Sequence, residues 1–199
     1  MTVRDHARGF DRVDLTALLR LADRGYLFPV WTLHKFSRDR KDRIYRAGRD
    51  GVDIAELIRQ FPDVYVGRLI MPGNLFLNEG INELWTLGMS TGGTKFDNTN
   101  AYIGAGDSNT AADPAQTGLQ ASTNKLYKAM DATYPQGPSA QKVTWRSTFG
   151  ASEANFAWNE ITVANGNSDS AKNLNRKVQV MGTKASPAVW IPSLELTIA

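Results

Sequence analysis

Apolar and polar positions alternate most clearly over residues 142–165. Val143, Trp145, Ser147 and Phe149 stand against Lys142, Thr144, Arg146 and Thr148, and Phe156 and Trp158 stand against Ala157 and Asn159. A period of two is the signature of a strand with one buried and one wet face. Residues 150–155 are short and polar, which predicts a turn that pairs the two halves as a hairpin. Trp145, Phe149, Phe156 and Trp158 are therefore the expected structural core. Glu160 shares the inward parity of Trp158 and would need a partner if buried, with Arg146 or Arg176 as the candidates.

Other segments follow the same logic. Leu15, Leu18, Leu19 and Ala22 recur at helical spacing, and Gly25 is placed to end a helix over 11–24. Residues 26–33 read as an edge strand or an extended arm because Pro29 interrupts them. A second helix is predicted over 53–61, with Asp53 and Glu56 as a capping box and Pro62 as its stop. A third, over 78–87, would bury Ile81, Leu84 and Trp85. From residue 99 onward, short segments over 99–105, 125–134, 174–181 and 189–198 read as strands between Gly, Asn, Asp and Ser loops. The expected fold class is mainly β, an antiparallel sandwich or jelly roll with a short helical, extended N-terminal arm.

Charge divides the chain. The first 75 residues carry 14 Lys and Arg against 10 Asp and Glu, whereas the remainder carries 9 against 10. Two regimes are expected: a charged arm over 1–73 and a sandwich body over 74–199. In the arm, Trp31, Arg38, Arg40, Arg43 and Arg46 are candidate assembly contacts, since mixed charge can match complementary charge on a neighbour. Asp39, Asp42 and Asp50 dilute the basic run, and Phe36 and Tyr45 are its sole aromatics, so no specific nucleic acid is expected.

Candidate chemistry is sparse. The chain has no Cys and two His, His6 and His34, and no run of about 18 apolar residues, so neither a thiol site nor a membrane span is expected. Gly104-Ala-Gly-Asp-Ser108 lacks the Lys of a phosphate loop and reads as a strand-end turn. Asp97, Asn98, Asn100, Asp107, Asp113 and Asp169 could ligate calcium but also suit turns. Glu153 and Glu160 are a carboxylate pair on paper; the turn position of Glu153 favours an ion pair at Glu160 instead. No catalytic residue, metal site or cofactor is expected, and the chain reads as a non-enzyme.

Several short motifs occur in a fixed order: 74–85 (NLFLNEGINELW), 96–107 (FDNTNAYIGAGD), 127–131 (YKAMD), 155–160 (NFAWNE), 174–177 (LNRK) and 182–184 (GTK). Their succession resembles a group of tailed-bacteriophage virion proteins, the head-decoration and tail-fibre-like β-sandwich proteins. The resemblance covers roughly residues 74–199 and implies a β-rich virion component without enzymatic activity, partnered by other capsid or tail subunits. It carries over no functional residues. A head-associated cement, decoration or minor capsid role anchored by the arm is the leading expectation, with assembly in the host cytoplasm. A tail, fibre or adaptor protein is the alternative, and a carbohydrate-binding module is the alternative of another class. Homo-oligomerisation, by analogy with virion symmetry as a trimer, is also expected.

Overall fold

The computed structural model describes residues 27–37 and 40–198. The fold is mainly β, an antiparallel sandwich of two five-stranded sheets. The first sheet runs β2 (Tyr65–Pro72), β1 (Leu27–Phe36), β10 (Val189–Ile198), β7 (Lys142–Arg146) and β6 (Gln136–Ser139). The second runs β3 (Leu75–Phe76), β9 (Asn175–Thr183), β8 (Ala157–Ala164), β4 (Tyr102–Gly106) and β5 (Lys125–Ala129). The helix expected over 11–24 lies outside the described residues.

The boundary expected at residue 73 is where the chain crosses from one sheet to the other. Residues 27–36 and 65–72 are not an arm: β1 is a central strand, paired to β10 along its whole length and to β2 on its other side. Both interior prolines fit because their missing N–H groups fall at strand ends. The Pro29 carbonyl accepts from Gly73 just past β2, and the Pro192 carbonyl accepts from Ser147 just past β7.

The predicted hairpin over 142–165 is not one. β7 belongs to the first sheet and β8 to the second, so the two alternating halves face each other across the sandwich. After β7 the chain still bridges β10 through Phe149 and Trp190 before it crosses. Trp145, Phe149 and Trp158 are buried in the main core, and Phe156 packs against it half-buried. The Trp158 ring meets Phe149 and Trp190 edge-on, at 4.7 and 5.0 Å between centroids. Both indole N–H groups are satisfied by backbone carbonyls, Trp145 by Phe96 and Trp158 by Ala154.

Helices α1 (Lys41–Arg49) and α2 (Ile54–Gln60) form a second, smaller core. Ile44, Leu57 and Phe61 cover Phe36, Val189 and Ile191 on the outer face of the first sheet. The apolar stripe of α1 is narrow: Ile44, Ala47 and Gly48. Asp53 caps α2 by accepting from Ala55, but Glu56 bonds Arg59 and Gln60 rather than closing a capping box. Helix α3 (Asn78–Gly88) lies on the second sheet through Gly80, where an added Cβ would sit 2.4 Å from the Leu174 Cα. That contact turns Ile81, Leu84 and Trp85 outward, opposite to the expectation from their spacing.

Candidate functional site

Two buried ion clusters shape the surfaces of the protein. Asp131, fully buried, accepts from Arg146 Nε at 2.9 Å, Arg49 Nη1 at 3.1 Å, and the Thr148 amide and hydroxyl. Arg146 also donates to the Gly48 and Val52 carbonyls, fastening the end of α1 to β7, and its guanidinium lies 4.2 Å from the Tyr134 ring centre. Burial pushes the Asp131 carboxyl up, against the pull of Arg146 and Thr148.

On the second sheet Glu160 accepts from Arg176 Nε at 2.7 Å, and both residues are fully buried. Its oxygens also take the amides of Gln120 and Ala121, while Arg176 Nη1 donates to Gln116. The pair therefore fastens the long loop between β4 and β5. Of the two candidate partners for Glu160, Arg176 holds it and Arg146 serves Asp131. A third buried charge, Lys184, donates to the Gly150 and Glu153 carbonyls and to Asn155 Oδ1, organising the crossing between β7 and β8. Burial lowers its pKa to about 8, partly opposed by Glu153.

A cleft of about 600 Å³ lies on the outer face of the first sheet. Helices α1 and α2 cover one end of that face, and the same strands then continue uncovered. In β10 the outward positions change from Val189 and Ile191, under the helices, to Ser193 and Glu195 in the cleft. In β1 they change from Phe36 to His34 and Thr32. Cross-strand register fixes the floor: Arg68, His34 and Ile191 stand side by side, then Thr32, Ser193 and Arg146, then Glu195, Thr144 and Gln136. Lys142 pairs with Glu195 at 3.0 Å, and Asp53 and Tyr134 stand in the walls.

His34 is nearly buried beside Tyr65, its Nδ1 3.0 Å from the phenol oxygen. Burial, with the Arg68 and Arg146 charges, lowers its pKa to about 4, so at neutral pH it is a hydrogen-bonding group without charge. Such a cleft can hold a polar ligand by hydrogen bonds.

Trp31 of the expected assembly set is fully buried in the main core and cannot meet a partner. Arg40, Arg43 and Arg46 are exposed at and along α1, with Arg40 reaching Asp63 at 3.4 Å and Arg43 lying over Phe61. Arg38 lies outside the described residues. The Asx residues considered for calcium are occupied locally: Asp97 with Asn100, Asp107 with Asn124, Asp113 with Ala115, and Asp169 with Lys125 and Tyr127. Among the described residues, no three His, Asp or Glu side chains come together as a metal site.

Exposed apolar side chains form the remaining candidate surface. Trp85 is 67% exposed and Met89 70%, next to Ile81 and Leu84 on α3. A separate patch at the open side of the sandwich joins Val66 of β2 and Val180 of β9. Sequence reasoning missed the cleft, although the apolar-to-polar switch along one face of 189–198 announces it. No protein-family model, curated protein or solved structure matches this chain.

Proposed function

We propose that the chain is a non-enzymatic structural component of a tailed-bacteriophage virion, head-associated as a cement, decoration or minor capsid protein. The observation that carries the reading is the outward apolar surface of α3, where Ile81, Leu84, Trp85 and Met89 are exposed beside one another on a helix whose Gly80 packs against Leu174. Exposed apolar side chains grouped in this way mark surfaces built for protein contact. The ordered motifs that resemble virion proteins support the same reading. Their buried members, Trp158, Glu160, Arg176 and Lys184, hold the sandwich together, so the motif order follows the fold. With residues 27–37 and 40–72 in the sheet and its helical cover, the anchoring segment of this proposal shortens to residues 1–26.

Mass spectrometry and electron microscopy of purified phage particles test it. The protein should be found in fixed copy number on the head, and Trp85→Asp with Met89→Asp should give a folded chain that no longer incorporates. Density for the chain on the tail alone would assign it to the tail. Particles that lack the chain altogether would end the proposal.

A further inference from the structure

We propose that the cleft on the outer face of the first sheet is a glycan-binding site, whose floor recognises the hydroxyl groups of an uncharged oligosaccharide. The inference is independent of the virion reading and starts from a choice the sequence makes. The outer face of β1 and β10 could have stayed apolar beneath a longer helical cover. Instead the cover stops after Phe36, Val189 and Ile191, and the same strands present Thr32, His34, Ser193 and Glu195 to an open cleft.

The arrangement of those groups suits a polyhydroxylated ligand. Thr32 and Ser193 are direct cross-strand partners, and Thr144 faces Glu195 one step further along. Neighbouring strands lie about 4.8 Å apart and alternate residues recur about every 6.8 Å, so the side chains form a rigid grid of hydrogen-bonding groups. Hydroxyls and the Gln136 amide both donate and accept, as a sugar hydroxyl does. His34, uncharged and tethered through Nδ1 to Tyr65, leaves Nε2 without a partner among the described residues.

Charge and polarity weigh against other ligand classes. Lys142 is paired with Glu195, and Arg146 is spent on Asp131 and two carbonyls, which leaves Arg68 as the one cleft cation without an ion pair among the described residues. Asp53 stands in the same cleft. A phosphate backbone would find too little positive charge here. An apolar ligand would meet chiefly Ile54 and Ile191 on a polar floor.

Amide-resolved NMR titration of the full chain with maltohexaose, cellohexaose and chitohexaose tests the site. At least one probe should shift the amides of Thr32, Thr144 and Ser193 saturably, with Kd of about 1 mM or tighter. The variant Thr32→Val/Thr144→Val/Ser193→Ala keeps strand-compatible side chains and should weaken that binding about tenfold or more at an unchanged melting temperature. A cleft unmoved by all three probes overturns the proposal. So does a folded triple variant that binds as well as the parent, or a probe that shifts only residues remote from the cleft. Should the triple variant fail to fold, Gln136→Leu on the cleft floor takes its place with the same two readings.

Discussion

Gly106 and Glu160 are direct cross-strand partners in β4 and β8, and the buried carboxylate occupies the space a side chain at Gly106 would need. A Cβ there would lie 2.4 Å from Glu160 Oε1. The glycine of the strand-end segment 104–108 therefore has nothing to do with phosphate; it makes room for a carboxylate that pins the loop above it. Gly106→Ala should destabilise the fold by about 1–3 kcal/mol through overpacking. Glu160→Ala should cost more, about 3–5 kcal/mol, because it strands Arg176 in the interior. Urea unfolding of the two variants checks the order. Replacing both partners, as Glu160→Met with Arg176→Met, should recover a large part of the loss, and a double variant as unstable as the single one would sink the account.

Lys184 gives a second test. Three oxygens converge on its ammonium, and Lys184→Met would leave buried acceptors unsatisfied at about 1–3 kcal/mol each. The pH dependence has a definite sign. Burial lowers the folded-state pKa to about 8 from the ordinary 10.5, so between those values the unfolded chain binds more protons. Stability from this group accordingly rises as pH climbs from about 8 towards 10.5. Urea midpoints of the parent should gain on those of Lys184→Met across that range; parallel curves would contradict the burial of a charged Lys184.

What the sequence disclosed and what it hid divide along physical lines. Period-two alternation located β7 and β8 because each buries a face in a dry core. It could not say that β7 and β8 lie in opposite sheets, since a hairpin and a sheet-to-sheet crossing share the same local pattern. Pro29 read as an edge signal, yet β1 is central, because a proline whose missing N–H faces a strand end costs the ladder nothing. Helix α1 was obscured because Gly48, one of its buried residues, counts as apolar only through its close approach to Thr148. The stripe on α3 was read correctly as a stripe but assigned to the wrong side. Periodicity shows that a helix has an apolar face, whereas the Gly80 contact decides which face meets the sheet.

The outward stripe on α3 makes a spectroscopic prediction. Trp31, Trp145, Trp158 and Trp190 are buried, while Trp85 is 67% exposed. Iodide should quench a single accessible class of tryptophan fluorescence, and Trp85→Phe should abolish that class with less than about 0.5 kcal/mol change in stability, as for a surface site. A quenchable fraction that survives in Trp85→Phe would show that a second indole is open to solvent.

His34 supplies the acid-side prediction, and its sign is opposite to that of an ordinary paired histidine. The folded-state pKa is lowered to about 4 from 6.5, first by burial and then by the Arg68 and Arg146 charges. Between pH 6.5 and 4 the unfolded chain therefore binds a proton that the folded chain refuses. The stabilising contribution is fully present above pH 6.5 and is lost progressively as pH falls towards 4. His34→Gln keeps a hydrogen-bonding group beside Tyr65 but cannot titrate, so its stability should be flatter than that of the parent between pH 6.5 and 5, a range above most carboxylate titrations. The ring protons report the same property directly. Of the two histidine signals, the one absent in His34→Gln should hold its neutral chemical shift down to about pH 5. A midpoint near 6.5 for that signal would mean that the His34 ring is solvated and free of the two guanidinium charges.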